Sequence, residues 1–396
     1  MTQSLASSAA SAPEAAAPVA LLQLDGADPV QAAAAVYRQV RRGRSVLAVA
    51  AGPAGSAARV VERLDRIGVA VTSGDLAHGP AVSVVEGPSS APVRASAHAA
   101  PVRVALAGCG VVGGGVLDRL RDDPRYRVVG VLVRDPSKAR DVALSADLAV
   151  TDPAALLARE PDVLIEALSD GSTGLAVIRA ALSRGVDVVS ANKQAVCADP
   201  AGLKALAEAS GARVEWSASV GGGAPLIETL RAARDQSRIV RIEAVLNGTC
   251  NFILNRLAEG VDFDAAVRAA QIAGFAEEDP AADLTGLDAA AKLAILVHEA
   301  GGPTVAAPTI VRQTLTADDA RPEGVVRQVA RFDAATGQLD VRFRRADQDA
   351  LFRDLTDEAN ALRVTLEDGR TLTARGRGAG RAPTVESVLA DLDDLR

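Results

Sequence analysis

The stretch that most constrains this chain is Val102 to Arg134, VRVALAGCGVVGGGVLDRLRDDPRYRVVGVLVR. An apolar run rich in β-branched residues predicts a buried strand, glycines break it, an amphipathic helix follows, and a second apolar run predicts another strand. That order is half of a βαβ unit. Gly108, Gly110 and Gly113 stand as G-x-G-x-x-G between strand and helix, the context of a dinucleotide fingerprint. Gly108 would make the tight turn, Gly110 would admit the pyrophosphate, and Gly113 would let helix and strand pack closely. Val111 and Val112 open the helix whose N-terminus would face the phosphates. A glycine-rich turn of some other α/β domain is the alternative. The second strand ends at Arg134, followed by Asp135, Lys138 and Arg140. These cations suit a ribose 2′-phosphate and hence NADP, while Asp135 keeps NAD open and a solvated basic loop is the reading without a ligand.

Size and composition exclude several classes. At 396 residues the chain can form two or three domains with separate cores. Only 2% of it is aromatic and its net charge is −7, which argues against a nucleic-acid partner. No apolar run reaches the roughly 18 residues of a membrane span. The N-terminus lacks the basic and apolar regions of a signal peptide, so a cytoplasmic location is expected. Cys109, Cys197 and Cys250 are few and far apart, unlike a disulfide framework or a zinc site. His78, His98 and His298 are scattered, and two precede the dinucleotide stretch, which disfavours histidine catalysis.

Taken in order, residues 1–18 are alanine, serine and proline and read as a disordered leader. Residues 19–86 read as a small α/β extension: strands in VALLQL, SVLAVAA and AVSVVE, with helices over DPVQAAAAVYRQVRRG and over 56–66. Residues 87–101 are a linker by their proline and serine. A Rossmann-type unit spans 102–236, with strands at 161–167 and 186–190 and helices behind them. Ser169 and Lys193 fall at strand ends, where ligands of parallel sheets bind. A lysine there is also often a solvated loop cation. From 237 to 377 the alternation stops and an α+β unit follows, with a hairpin in ARFDAATGQLDVRFRRA. Glycines before the last helix suggest that 378–396 folds back onto the nucleotide unit.

A group of charges carries the candidate chemistry: Glu277, Glu278, Asp279, Asp283, Asp288 and Lys292. Asp288 and Lys292 are four apart on a helix and share a face, a spacing that also describes an ordinary surface salt bridge. A dehydrogenase needs a proton donor or acceptor beside the carbon that exchanges hydride, and a buried lysine can serve. Neighbouring carboxylates would bind a substrate ammonium group, which points to an amino-acid-like substrate.

These residues resemble homoserine dehydrogenase in order and spacing: VALAGCGVVGGGV, SANK at 190–193, SVGGGAP at 219–225, LNGTCNFIL at 246–254, AQIAGFAEEDPAADLTGLDAAAKL at 270–293 and GRGAGRAPTVESVLADL at 376–392. The resemblance implies NAD(P)-dependent interconversion of L-homoserine and L-aspartate 4-semialdehyde, on the branch to threonine, methionine and isoleucine. It implies that Lys292 is the proton donor and acceptor and that Lys193 lies between cofactor and substrate. Glu277 and Asp288 are implied substrate-binding acids, with Asp283 in support, Thr249 beside the substrate, and Gly274 and Gly380 approaching cofactor or substrate. A homodimer is implied too.

The chain departs from the family in places. Phe275 stands where tyrosine is usual. Ser217 stands where the family has a glutamate that completes a monovalent cation site, whose carbonyls match Val220, Gly222 and Ala224; Glu215 is displaced by two positions. The chain stops at Arg396, before the family's regulatory ACT domain. Residues 19–55 faintly resemble the opening of an aspartate kinase, with Gln23, Asp25 and Gly26 in place of its lysine and paired glycines. Two other readings are a different NAD(P)-dependent amino-acid or semialdehyde dehydrogenase, for which Cys250 would be the nucleophile, and a catalytically dead nucleotide sensor.

Overall fold

Among the described residues three sheets carry the chain, each grown from a local pattern of apolar residues. The computed structural model describes residues 19–23, 29–41, 45–51, 56–66, 69, 71, 82–87, 100–319, 324–356 and 358–396. The expected leader and nearly all of the expected linker lie outside the described residues, as do Asp25, Gly26, His78 and His98.

The N-terminal sheet contains strands β1 (Val19–Gln23), β2 (Ser45–Ala51) and β3 (Val82–Gly87), all parallel in that order, with helices α1 (Pro29–Arg41) and α2 (Ser56–Arg66) as crossovers. Val36, Tyr37, Val60 and Leu64 fill the space between helices and sheet.

The second sheet is formed by β4 (Val102–Ala107), β5 (Tyr126–Leu132), β6 (Ala149–Val150), β7 (Val163–Glu166), β8 (Asp187–Ser190) and β9 (Val214–Glu215), all parallel, in the order β6-β5-β4-β7-β8-β9. That is the doubly wound dinucleotide-binding order, with its reversal between β4 and β7. The helices between these strands are α3 (Val111–Arg121), α4 (Pro153–Leu157), α5 (Gly171–Leu182), α6 (Lys193–Ala198) and α7 (Pro200–Ser210). Strands β4 and β7 are almost wholly apolar because helices cover both faces.

The third sheet begins after helix α8 (Leu226–Arg234). It contains β10 (Ile239–Val245), then, after helices α9 (Gly248–Ala258), α10 (Phe263–Ile272), α11 (Ala281–Leu284) and α12 (Leu287–Glu299), strands β11 (Val311–Arg312), β12 (Val326–Asp333) and β13 (Gln338–Arg345). Helix α13 (Ala350–Arg353) precedes β14 (Ala359–Leu366) and β15 (Thr371–Arg377), giving the order β11-β13-β12-β10-β14-β15. The hairpin expected in ARFDAATGQLDVRFRRA is the antiparallel pair β12–β13.

Helix α14 (Arg381–Asp394) closes the chain. Val385, Val388 and Leu392 form one stripe and pack with Val116, Leu117 and Leu120 of α3, so the C-terminus lies on the nucleotide sheet. Ala390 points the other way, into the N-terminal core. Among the described residues no helix is long and apolar enough to cross a membrane.

Candidate active site

The glycine turn is built as the spacing requires. Gly108 has φ 101°, and a Cβ there would lie 2.6 Å from the Ala167 carbonyl oxygen, so only glycine fits. Gly113 lies against the Gly108 carbonyl with no room for a side chain, whereas nothing lies within 4 Å of a Cβ at Gly110. Open space at Gly110 and the free amides of Val111 and Val112 make a cradle for a pyrophosphate, and Val111 is 63% exposed at its rim. At the end of β5, Arg134 and Lys138 form no ion pair among the described residues. Asp135 instead accepts hydrogen bonds from the Ser137 amide (2.8 Å) and hydroxyl (2.6 Å), which hold its carboxyl below the usual range. Ser169 is exposed at the end of β7. The donor set therefore fits a dinucleotide.

Lys193 was expected in a strand-end loop; it is the first residue of α6, capped by Asn192, whose side-chain oxygen accepts from the Gln194 and Ala195 amides. Its Nζ lies 2.5 Å from Asp288 Oδ1. Asp288 sits in the first turn of α12 and is 5% exposed; its Oδ2 receives Lys292 Nζ and Asn247 Nδ2, both at 2.8 Å. Lys292 Nζ also donates to the Leu246 carbonyl at 2.7 Å. Burial alone would raise the Asp288 carboxyl, but Lys292 and Lys193 hold it far below the usual range. For Lys193, burial works against the charge and Asp288 more than restores it, leaving the ammonium more firmly protonated than an ordinary lysine. The i,i+4 pair is thus part of a cluster around a buried carboxylate and not a surface salt bridge. Asp288 meets three groups of the protein itself, Lys193 at Oδ1 and Lys292 and Asn247 at Oδ2, and it also lines the adjoining cavity.

This cluster forms one wall of a cavity of about 1030 Å³. Thr249, Gly274, Glu277, Asp283 and Gly380 also line it, so every residue expected at the substrate is brought together. Asn247 caps α9 by accepting from the Cys250 amide and donates to Asp283 Oδ1 at 2.6 Å. Burial, then the charge of Asp288, push the Asp283 carboxyl up. Thr249 donates to the Phe275 carbonyl, and the Phe275 ring stacks on Phe252 with centroids 4.8 Å apart. Cys250 is fully buried, its thiol is pushed well up by burial, and it donates to the Asp283 carbonyl; nothing there makes a nucleophile.

Beside the Val220, Gly222 and Ala224 carbonyls, the carboxylate that would complete a sodium or potassium site is missing at Ser217. The Ala224 carbonyl accepts from the Leu226 amide, Glu215 is paired with Arg231 at 2.6 Å, and Ser217 brings a neutral hydroxyl that is buried with no hydrogen-bond partner among the described residues. Among the described residues no cluster of His, Cys, Asp or Glu is arranged to hold a metal.

Sequence reasoning missed Glu166 at the end of β7. Fully buried, it accepts from Leu168 N, Ser190 Oγ and Asn192 Nδ2 (2.9, 2.7 and 3.0 Å), so it sets the β8–α6 junction that delivers Lys193. An acid ending an otherwise apolar strand was the available signal.

A doubly wound nucleotide sheet, a glycine turn cut for a pyrophosphate and a lysine–carboxylate–lysine cluster define an NAD(P)-dependent oxidoreductase. Residues 108–216 match the family model described as the homoserine dehydrogenase NAD binding domain, and residues 225–392 match that of homoserine dehydrogenase. Homoserine dehydrogenases from Synechocystis sp. and Neisseria gonorrhoeae are 32% and 31% identical over 74% of this chain, covering 73% and 72% of theirs. The crystal structure of a homoserine dehydrogenase from Thiobacillus denitrificans superposes with a TM-score of 0.66 at 30% identity, over 74% of this chain and 73% of that one. The chain belongs to the homoserine dehydrogenase family.

Proposed function

We propose that this chain interconverts L-homoserine and L-aspartate 4-semialdehyde with NADP as the preferred cofactor, on the biosynthetic branch to threonine, methionine and isoleucine. The observation that carries this reading is the Lys193–Asp288–Lys292 cluster, built on a buried carboxylate and opening into a cavity at the carboxyl edge of the nucleotide sheet. Bound at the glycine turn, the dinucleotide supplies or accepts the hydride. The chain supplies the proton and the geometry. An ammonium group has three N–H donors, and two of Lys292's are committed to Leu246 and Asp288, so the third has a defined direction. We assign it to the substrate oxygen: it donates a proton when the aldehyde is reduced and recovers one when the alcohol is oxidised. Lys193, with two donors beyond its bond to Asp288, stands ready to polarise the same oxygen. Glu277 and Asp283 supply negative charge for the substrate ammonium, and Gly274, Thr249 and Gly380 shape the space around it.

The NADP preference is supported by Arg134 and Lys138, which form no ion pair among the described residues, and by Asp135, whose Oδ1 is engaged by Ser137. Residues 102–236 with 378–396 serve as the cofactor unit, and 237–377 as the substrate and dimerisation unit of a cytoplasmic homodimer. The reading includes no monovalent cation. Replacing Lys292→Ala is expected to lower NADPH-linked reduction of the semialdehyde by about a thousandfold. NADPH binding, followed by its fluorescence, should stay near wild type. Turnover close to wild type in that variant would overturn the assignment.

A further inference from the structure

The N-terminal unit lies outside both family matches, yet its attachment reaches the wall of the substrate cavity. The contact is made by the last two turns of α1. Tyr37 donates its hydroxyl to the Gly223 carbonyl at 2.9 Å in a buried setting. Arg41, 4% exposed, donates Nε to Glu228 and Nη2 to Asp391, both at 2.7 Å, and Nη1 to the Ser387 carbonyl at 3.3 Å. The second oxygen of Asp391 accepts from the Ser217 amide at 2.8 Å. Segment 217–224 is therefore gripped at both ends, at Ser217 through Asp391 and at Gly223 directly.

From there the path to the cavity is short. Gly223 donates its amide to the Arg377 carbonyl at 3.1 Å, and a Cβ at Gly222 would lie 2.8 Å from the Gly378 carbonyl oxygen. Gly378, Ala379 and Gly380 line the cavity. The carboxylates that bear on the segment are matched by arginines, Glu215 by Arg231 and both Glu228 and Asp391 by Arg41.

We propose that Tyr37 and Arg41 are positioning residues for the substrate site, and that the Arg41 guanidinium is a cation that organises the 217–224 turn through Asp391. The N-terminal unit thereby sets the 378–380 wall without touching substrate. A planar guanidinium suits this task, since it can hold two carboxylates and a carbonyl in fixed relative directions.

The kinetic part of the test rests on the proposed homoserine activity, and hydrogen exchange supplies a readout that does not. Full-length Arg41→Ala is expected to raise KM for homoserine about tenfold or more, with kcat within about twofold. Added guanidinium chloride at low concentration should restore KM where sodium and potassium chloride do not. The wild-type enzyme should turn over equally in sodium, potassium and choline buffers. Without substrate, the Gly223 amide and residues 376–380 should exchange faster in the variant. Wild-type KM and exchange in Arg41→Ala, or rescue by sodium or potassium instead of guanidinium, would overturn the proposal. If Arg41→Ala does not fold, Tyr37→Phe decides: about a threefold rise in KM with faster exchange at Gly223 supports it, and unchanged exchange sinks it. A wild-type protein inert toward homoserine would refute the functional reading, while the exchange experiment would still test the brace.

Discussion

Asp288 neutralises two lysines at once, which makes it the residue on which the site's charge balance depends. Its folded-state pKa is lower than its unfolded one, so its contribution to stability is complete above the ordinary carboxylate range and is lost as pH falls below it. Asp288→Asn leaves two part-exposed ammonium groups facing a neutral amide, a change whose cost solvent screening holds below that of breaking a fully buried ion pair. We expect kcat/KM for the semialdehyde to fall at least a hundredfold, with a pH profile displaced because one lysine sheds its proton more easily beside an unmatched neighbour. A variant with wild-type kcat/KM and an unmoved profile would contradict the charge balance described. The Asp288–Lys292 spacing was legible in the sequence, because residues four apart on a helix meet. Its burial was not. Lys193 is brought against Asp288 from the end of a strand about a hundred residues earlier, and periodicity within one helix says nothing about that.

Helix α3 shows how far local pattern reaches at the scale of an element. Its three leading glycines look alike in the sequence, and helix propensity predicts that alanine would improve each by about 1 kcal/mol. The structure separates them. A Cβ at Gly114 would meet Val142 Cγ2 at 3.7 Å, an ordinary contact, whereas at Gly113 it would strike the Gly108 carbonyl. Gly114→Ala should therefore stabilise the protein by about 1 kcal/mol in urea unfolding with unchanged NADPH affinity. Gly113→Ala should weaken NADPH binding about tenfold or more, by pushing the turn away from the phosphates. Equal NADPH affinity in the two variants would show that the close packing at Gly113 does not shape the cofactor site. Most strands and helices were readable at this scale, including the N-terminal crossovers and the β12–β13 hairpin, because each carries its own alternation or stripe. The short helix opening at Lys193 was missed, since six residues are too few for a period to show.

For the whole molecule, the contacts that join the sheets were the least legible, because they pair residues far apart in the chain and obey no local period. Arg41 with Asp391 is one example; Glu299 is another. At the end of α12 and fully buried, Glu299 accepts from Trp216 Nε1 at 2.9 Å beside β9, from Arg231 Nε at 3.0 Å on α8, and from Lys204 Nζ at 2.8 Å on α7. It fastens the helix that carries Asp288 and Lys292 to the edge of the nucleotide sheet that carries Lys193. Burial would raise its carboxyl, but Arg231 and Lys204 bring it from the usual 4.5 down to about 2. That displacement corresponds to about 3 kcal/mol of stability. The folded state binds this proton more weakly than the unfolded chain, so the contribution is complete above about pH 4.5 and disappears as pH falls to about 2. Glu299→Gln keeps an acceptor for Trp216 but carries no charge for Arg231 and Lys204. It should lower the unfolding free energy in urea by about 3 kcal/mol at pH 7, and the gap to wild type should narrow steadily as pH falls from 4.5 toward 2. Because the variant also loosens the two halves of the site, its loss of activity should exceed what unfolding alone explains at pH 7. Equal urea midpoints at pH 7, or a gap that does not change with acidification, would mean that the Glu299 charge does not hold these sheets together.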